Sequence, residues 1–263
     1  MRLQASPITE DDFKAVVRIL ADIACMDATP DGKRVHLMNE IGLLVGTGTW
    51  LWGVAPLLEP GKQPVYLFHN SGGIDNDRMA VMLRAIEHPD TGAMTARLAQ
   101  EIGMAEGQIT RLRQDVIDND WFDHSGANAI WKEADVGPIL FSARRLPGVG
   151  TSILAFYRAA AASLFTEREA RIAHIVLSQV SWLHEAGLPY TPAKDVPALP
   201  PRCRLILNQV VRGRTRKEIA ADLGISVHTA NDYMKQIFRH FRVRSQVELI
   251  ARLRAGDSAP PPR

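Results

Sequence analysis

The spacing of apolar residues divides the first 186 residues into helical and strand-like segments. Apolar residues that recur every three or four positions predict helices, and short runs rich in β-branched and aromatic residues predict strands. The predicted helices are 9–25, 33–45, 75–87, 93–103 and 166–186, and the predicted strands are 48–58, 64–70, 138–146 and 151–159. This order of elements predicts an α+β domain with an antiparallel sheet flanked by helices.

The segment 104–135 has the least regular pattern of this part of the chain. Ile109, Leu112 and Val116 fall at helical spacing and predict a helix. The following stretch, 119–131, mixes aromatic and polar residues without a period and is predicted to be irregular.

No motif in the sequence indicates an enzyme or a cofactor site. Asp123, His124 and Ser125 are adjacent in sequence, but a catalytic triad is defined by spatial geometry, and the chain has no Gly-x-Ser-x-Gly elbow. We interpret these three residues as structural or as ligand contacts. The glycines of Ser71–Gly73 are too few for a phosphate-binding loop and no lysine follows them, so they predict a plain turn.

After residue 199 the pattern changes to four short helices in about sixty residues. Thr215 and Glu218 form a capping box, in which each side chain pairs with a backbone amide of the first turn. Gly224 suits the left-handed residue that ends a helix, and Ser226 can cap the next one. That next helix, 226–241, has an apolar side formed by Val227, Ala230, Met234, Ile237, Phe238 and Phe241.

The opposite side of this helix is polar. Its members are His228, Thr229, Asn231, Asp232, Lys235, Gln236, Arg239 and Arg242. Small hydrogen-bonding groups come first and basic groups later, which suits a helix that enters the major groove of DNA with its N-terminus. An ordinary amphipathic helix with a solvated face has the same pattern. The capped helix before it, the glycine turn and the local charge favour DNA binding.

Charge is distributed unevenly between the two parts of the chain. The net charge is +2, but residues 199–263 contain 13 Lys and Arg against 5 Asp and Glu, a balance of +8. The preceding residues contain 18 basic against 24 acidic residues, a balance of −6. A basic module attached to an acidic domain is typical of nucleic-acid binders, and it assigns DNA contact to the C-terminal module.

Residues 199–255 resemble the LuxR-type (NarL-type) helix-turn-helix DNA-binding domain. The matching segments are KEIAADLGISVHTA (217–230), RVRSQVELIAR (242–252) and the opening LPPR (199–202). The resemblance implies a four-helix domain whose third helix reads DNA and whose fourth helix dimerises. Two departures are Cys203 in place of the usual acidic residue and Ala230–Asp232 in place of Val-Lys-Asn. Asn can pair with adenine and Asp can accept from cytosine, so the operator is expected to be specific to this chain.

This resemblance implies sites and partners. The expected partners are double-stranded DNA with a two-fold operator, a second copy of the chain, and RNA polymerase. The residues expected to contact DNA are Thr215, Lys217, Ser226, His228, Thr229, Asn231, Asp232, Lys235 and Arg239. The residues expected at a dimer contact are Gln246, Leu249, Ile250 and Leu253.

The N-terminal part resembles GAF- or PAS-like sensory domains in element order, which implies a domain that senses a small molecule or sets the oligomeric state. Aromatic residues can line a ligand space or fill the core between sheet and helices. The candidates are Trp50, Trp52, Tyr66, Phe68, Trp121, Trp131 and Phe141. Alternatives are a regulator whose N-terminal domain only dimerises, an acyl-homoserine-lactone receptor, and an enzyme fused to a DNA-binding module. The receptor's Trp-x3-Tyr pattern is missing, since no Tyr follows any Trp by four residues.

The remaining features complete the predicted organisation: a sensory domain at 1–186, a proline-rich linker at 187–198, the DNA-binding domain, and a disordered tail at 256–263. Cys25 and Cys203 are far apart, which predicts neither a disulfide nor a metal site. No apolar run has the length of a membrane span and no signal peptide is recognisable. The sequence therefore predicts a cytoplasmic protein without cofactor or metal.

Overall fold

The computed structural model describes residues 7–55, 57–62, 64, 66, 68–147, 149–186 and 199–254. The strands are β1 (Thr49–Ala55), β2 (Phe68–Gly72), β3 (Gln108–Leu112), β4 (Ile139–Leu146) and β5 (Gly150–Tyr157). The helices of the N-terminal part are α1 (Glu10–Cys25), α2 (Pro30–Leu44), α3 (Asn76–Ile86), α4 (Pro89–Met104), α5 (Arg113–Val116), α6 (Asn119–His124), α7 (Gly126–Glu133), α8 (Glu167–Gln179) and α9 (Ser181–Glu185). Those of the C-terminal part are α10 (Pro201–Val211), α11 (Arg216–Asp222), α12 (Val227–Phe241) and α13 (Gln246–Arg254). The predicted linker and tail lie outside the described residues, and the domain boundaries stay predictions.

A single antiparallel sheet with the order β2-β1-β5-β4-β3 forms the centre of the N-terminal part. The predicted α+β class with an antiparallel sheet is confirmed. The hairpin of β4 and β5 is present, with Ser142 opposite Leu154. The strand predicted at 64–70 begins later than expected, because β2 runs from Phe68 to Gly72 opposite β1. The likeness to GAF- or PAS-like domains stays a prediction.

The helix predicted from Ile109, Leu112 and Val116 is wrong for the first two residues, because residues 108–112 form the edge strand β3 beside β4, whereas Val116 ends the short helix α5. Ile109 packs into the core on one side of the sheet and Leu112 into the core on the other, as the alternation of a strand requires. The three-residue spacing of Ile109 and Leu112 is compatible with a helix and with a strand when only the neighbouring sequence is considered. Pairing with β4, some thirty residues later in the chain, decides between them.

The stretch predicted to be irregular contains two short helices, α6 and α7, and each begins at a capping side chain. Asp118 accepts a hydrogen bond from the backbone N of Trp121 at 3.1 Å. Ser125 accepts one from the backbone N of Asn128 at 3.1 Å. Asp and Ser are preferred at this position because their short side chains satisfy a free amide of the first turn. These caps stabilise α6 and α7, although the apolar residues of this stretch do not recur at a clear helical spacing.

The sheet separates two apolar cores. On one side α1, α2 and α8 pack over Trp50, Trp52, Leu140 and Phe156. On the other side α3, α4 and α7 pack over Leu51, Phe141 and Tyr157. The second core continues into the C-terminal part of the chain, where α10, α11 and α12 contribute buried apolar residues to it.

The C-terminal helices dock on the N-terminal part through α10, which packs against α3 and the free edge of β2. The Asn208 amide donates to the backbone O of His69 at 2.8 Å and accepts from the backbone N of His69 at 3.5 Å. Arg212 also donates to this carbonyl, and the Arg204 guanidinium forms an ion pair with Glu87 at the end of α3. Polar side chains of α10 therefore satisfy strand and helix groups that would otherwise lie exposed.

Candidate nucleic-acid interface

The positions of α11 and α12 are fixed by their caps and by the turn between them. Thr215 and Glu218 form the predicted capping box, with the Thr215 backbone N 2.7 Å from a Glu218 carboxylate oxygen. Gly224 has a φ of +62°, the left-handed conformation that the sequence predicted. Ser226 caps α12 by accepting from the backbone N of Thr229 at 3.0 Å. The helix-turn-helix unit thus follows from local sequence signals.

The buried side of α12 consists of Ala230, Met234, Ile237 and Phe241, which leaves the polar side outward. Among the residues predicted to contact DNA, those that are exposed are Thr215, Lys217, Ser226, His228, Lys235 and Arg239. Thr229, Asn231 and Asp232 are partly exposed. We call the outward side of α12, made of His228, Thr229, Asn231, Asp232, Lys235 and Arg239, the recognition face. The N-terminal part of the chain leaves it open.

Several groups on the recognition face bind each other. The Lys235 ammonium lies 3.0 Å from one Asp232 carboxylate oxygen, and His228 Nε2 lies 3.5 Å from the other. The hydrogen bond from Lys235 holds the pKa of the Asp232 carboxyl below its usual range, so this carboxyl is ionised at neutral pH. Asn231 and Arg239 make no side-chain hydrogen bond within the part of the chain that the structure describes. Their side chains are therefore available to a ligand.

The residues predicted for dimerisation divide into two groups. Leu249 is 0% exposed and packs in the core of its own module, and Gln246 donates to the backbone O of Val210 at 3.2 Å. Ile250 and Leu253 are partly buried. The large apolar residue that is exposed on the described part of α13 is Val247, at 78%. Sequence reasoning missed it, although its position on the helix side opposite to Leu249 could have indicated it.

The aromatic candidates for a ligand space do not come together. Trp50 and Trp52 lie on the side of the sheet covered by α8, where their indole N–H groups donate to Asn39 at 2.8 Å and Ser152 at 2.9 Å. The candidates on the opposite side of the sheet are Tyr66, Trp131 and Phe141. Trp121 is at the surface, and the Phe68 side chain lies outside the described part. The five buried candidates are therefore divided between the two sides of the sheet and cannot line one common pocket.

One buried helix face carries polar groups without partners. Trp131 and Asn128 are three residues apart on α7, and both are almost completely buried. Within the described residues, the Trp131 Nε1 and the Asn128 Oδ1 have no hydrogen-bond partner. A buried donor or acceptor without a partner is costly, so a polar molecule that paired with these two groups would be stabilised by them.

The Asp123–Ser125 segment lies beside an open surface cavity of about 370 Å³ formed with Asp90 and Trp121. The Ser125 hydroxyl donates to the backbone O of Phe122 at 2.8 Å and caps α7. His124 Nδ1 lies 2.8 Å from the backbone O of Asp120. The Ser125 hydroxyl and the His124 ring therefore each contact a different backbone oxygen of α6, which supports a structural role for this segment.

Within the described ranges, no group of three His, Cys, Asp or Glu side chains could hold a metal ion. Among the same residues, no helix has the length and apolar character needed to span a bilayer. Cys25 is exposed, Cys203 is buried, and the two are unpaired.

The family model described as "Bacterial regulatory proteins, luxR family" matches residues 197–253. These residues form a luxR-family DNA-binding domain. The match agrees with the predicted helix-turn-helix module and includes the whole recognition face. It covers α10 to α12 and all but the last residue of α13, so the four helices belong to one family domain.

Two similar solved structures are of SdiA. One is SdiA in complex with octanoyl-rac-glycerol, with 15% identity, a TM-score of 0.43, and coverage of 97% of this chain and 97% of that chain. The other is Escherichia coli SdiA, with 16% identity, a TM-score of 0.45, and coverage of 94% of this chain and 99% of that chain. Comparison with curated protein sequences gave no match.

Proposed function

We propose that the protein is a transcriptional regulator that binds a two-fold DNA operator as a homodimer, with RNA polymerase as a further partner. The observation that carries this proposal is the open, polar and basic recognition face of α12 within a luxR-family domain. The +8 balance of the C-terminal residues supports it, because phosphate neutralisation supplies most of the non-specific affinity for DNA. The test is selection of a preferred duplex from a random pool, followed by binding measurements over a range of salt concentrations.

The free side chains of the recognition face give two different expected results. Arg239→Ala removes a phosphate contact, so we expect uniformly weaker binding and a salt slope that is flatter by about 0.9. Asn231→Ala removes a base contact, so we expect a change of base preference of about 1–3 kcal/mol and a salt slope like that of the wild type. Fluorescence anisotropy on the selected duplex and its single-base variants measures both effects. Identical behaviour of the two variants contradicts this assignment of roles.

The proposed dimer contact is the exposed side of α13. Val247→Asp places a charge where an apolar side chain would meet a second copy, so we expect at least a tenfold loss of affinity for paired half-sites and little loss for one half-site. Val247→Thr is the conservative control. Leu249→Asp buries a charge in the module core and is expected to unfold it, which circular dichroism detects. An equal loss on paired and single half-sites for Val247→Asp rules out the contact.

The N-terminal domain is proposed to sense a small molecule on the α7 side of the sheet. The unpaired Trp131 Nε1 and Asn128 Oδ1 support this, since one bound polar molecule can satisfy a donor and an acceptor on one helix face. Native mass spectrometry of the purified protein tests it. A bound molecule that is returned unchanged supports sensing, turnover supports the enzyme alternative, and an empty domain supports a purely dimerising role.

A further inference from the structure

Three polar side chains contact each other along the recognition face: His228, Asp232 and Lys235. Asp232 lies one turn after His228 and just under one turn before Lys235, so both of these side chains approach the same carboxylate. Residues three and four apart are neighbours on a helix surface, which makes these contacts a direct result of the sequence spacing. All three side chains are exposed enough to meet a bound duplex.

This arrangement is unfavourable for generic attraction to DNA. In a non-specific complex a phosphate competes with Asp232 for the Lys235 ammonium, and the Asp232 carboxylate repels that phosphate. In a specific complex the same carboxylate can accept from a base amino group, such as that of cytosine. Asp232 therefore lowers the affinity for a duplex without a hydrogen-bond donor at the contacted base more than the affinity for a duplex that has one.

We propose that Asp232 determines specificity by withholding Lys235 from the phosphates of non-cognate DNA and by accepting a base amino group in the cognate site. The proposal rests on the function proposed above. It gives a specific role to Lys235, which the resemblance placed among the residues expected to contact DNA. Arg239, with no partner among the described side chains, remains the phosphate contact that acts on every sequence.

The test compares Asp232→Asn with Asp222→Asn. The control removes the same charge from an exposed position of the same module, at the end of α11, where the backbone O of Asp222 keeps its contact with Asn76. We expect Asp232→Asn to raise affinity for a non-specific duplex several-fold and to steepen its salt slope by about 0.9, the value for one added phosphate contact. We expect affinity for the selected duplex to fall, so that the ratio of specific to non-specific affinity decreases by roughly 5- to 100-fold.

A double-mutant cycle with Lys235→Ala isolates the interaction. In the wild-type background Lys235→Ala is expected to leave the non-specific salt slope nearly unchanged, and in the Asp232→Asn background it is expected to flatten the slope by about 0.9. Two results overturn the proposal: additive effects in the cycle, or equal effects of Asp232→Asn and Asp222→Asn. Failure of the function itself is distinguishable, because the wild-type protein would then bind no duplex with a salt-dependent affinity, and this result overturns both.

Discussion

Replacing Glu87 with alanine is expected to lower the free energy of unfolding by about 3 kcal/mol, because it leaves a buried guanidinium without its counter-charge. The guanidinium is that of Arg204, which is 6% exposed between α10 and α3. Among the residues that the structure describes, its Nε and Nη2 have no hydrogen-bond partner, so Glu87 carries the compensation for its burial. Urea denaturation of the full-length protein measures the loss.

The matched control is Asp77→Ala, which removes the partner of Arg202 at the other end of α3. This pair is largely exposed, so we expect a loss below about 1 kcal/mol. The double variant Glu87→Ala, Arg204→Met replaces the charged pair by apolar volume and is expected to recover most of the loss. If Glu87→Ala and Asp77→Ala cost the same, the ion pair does not hold α10 on α3.

Acidification from pH 7 to pH 4 is expected to destabilise the protein strongly through buried histidines. Burial lowers the pKa of His184 to about 4 and the pKa of His69 to about 3, with nearby arginines adding to the effect. His184 Nδ1 lies 2.9 Å from Ser152 Oγ, the group that also accepts from Trp52. The backbone of His69 is hydrogen-bonded to Asn208 at the free edge of β2, and His69 is close to Arg204 and Arg212.

The direction of the effect follows from the pKa values. Each histidine has a folded-state pKa below its unfolded value of 6.5, so its stabilising contribution is present above pH 6.5 and is lost as pH falls toward the folded value. Between pH 6.5 and 4 the loss is about 3 kcal/mol for each histidine. Denaturation curves measured at intervals over this range give the slope of stability against pH.

His184→Gln identifies the contribution of one histidine. Glutamine retains hydrogen-bonding groups but does not titrate, so the slope below pH 6.5 is expected to decrease by about one proton equivalent. A slope that is the same for His184→Gln and the wild type contradicts the assignment.

Local signals in the sequence predicted much of the fold and of the DNA-binding module. The capping box predicted at Thr215 is present, and the structure has two more at Thr9 and Thr166, because a cap needs only residues within one turn. The β3 strand was missed because pairing with β4 overrides an ambiguous local period. The joint between α10 and α3 was also missed, since nothing local connects Glu87 with Arg204.

In the candidate sites, too, local sequence predicts some features, while others depend on contacts between distant segments. The recognition face follows from the helical period of α12, and the three-residue spacing of Asp232 and Lys235 accounts for their ion pair. The separation of the aromatic candidates depends on which side of the sheet each strand residue faces and on which helices cover that side. The alternation of side chains along β1 places Trp50 and Trp52 on the same side of the sheet. Only the register of β1 with β5 and of β5 with β4 places Phe141 on the other side.

The Asn208 side chain occupies the outer edge of β2 as a neighbouring strand would, with one donor and one acceptor for the His69 backbone. A sheet edge with free backbone groups is a template for pairing with other chains. The C-terminal module therefore also acts as a protective cover for the sheet of the N-terminal domain. An N-terminal fragment produced without α10 would expose this edge and self-associate through it, so truncation for crystallisation should keep α10 attached.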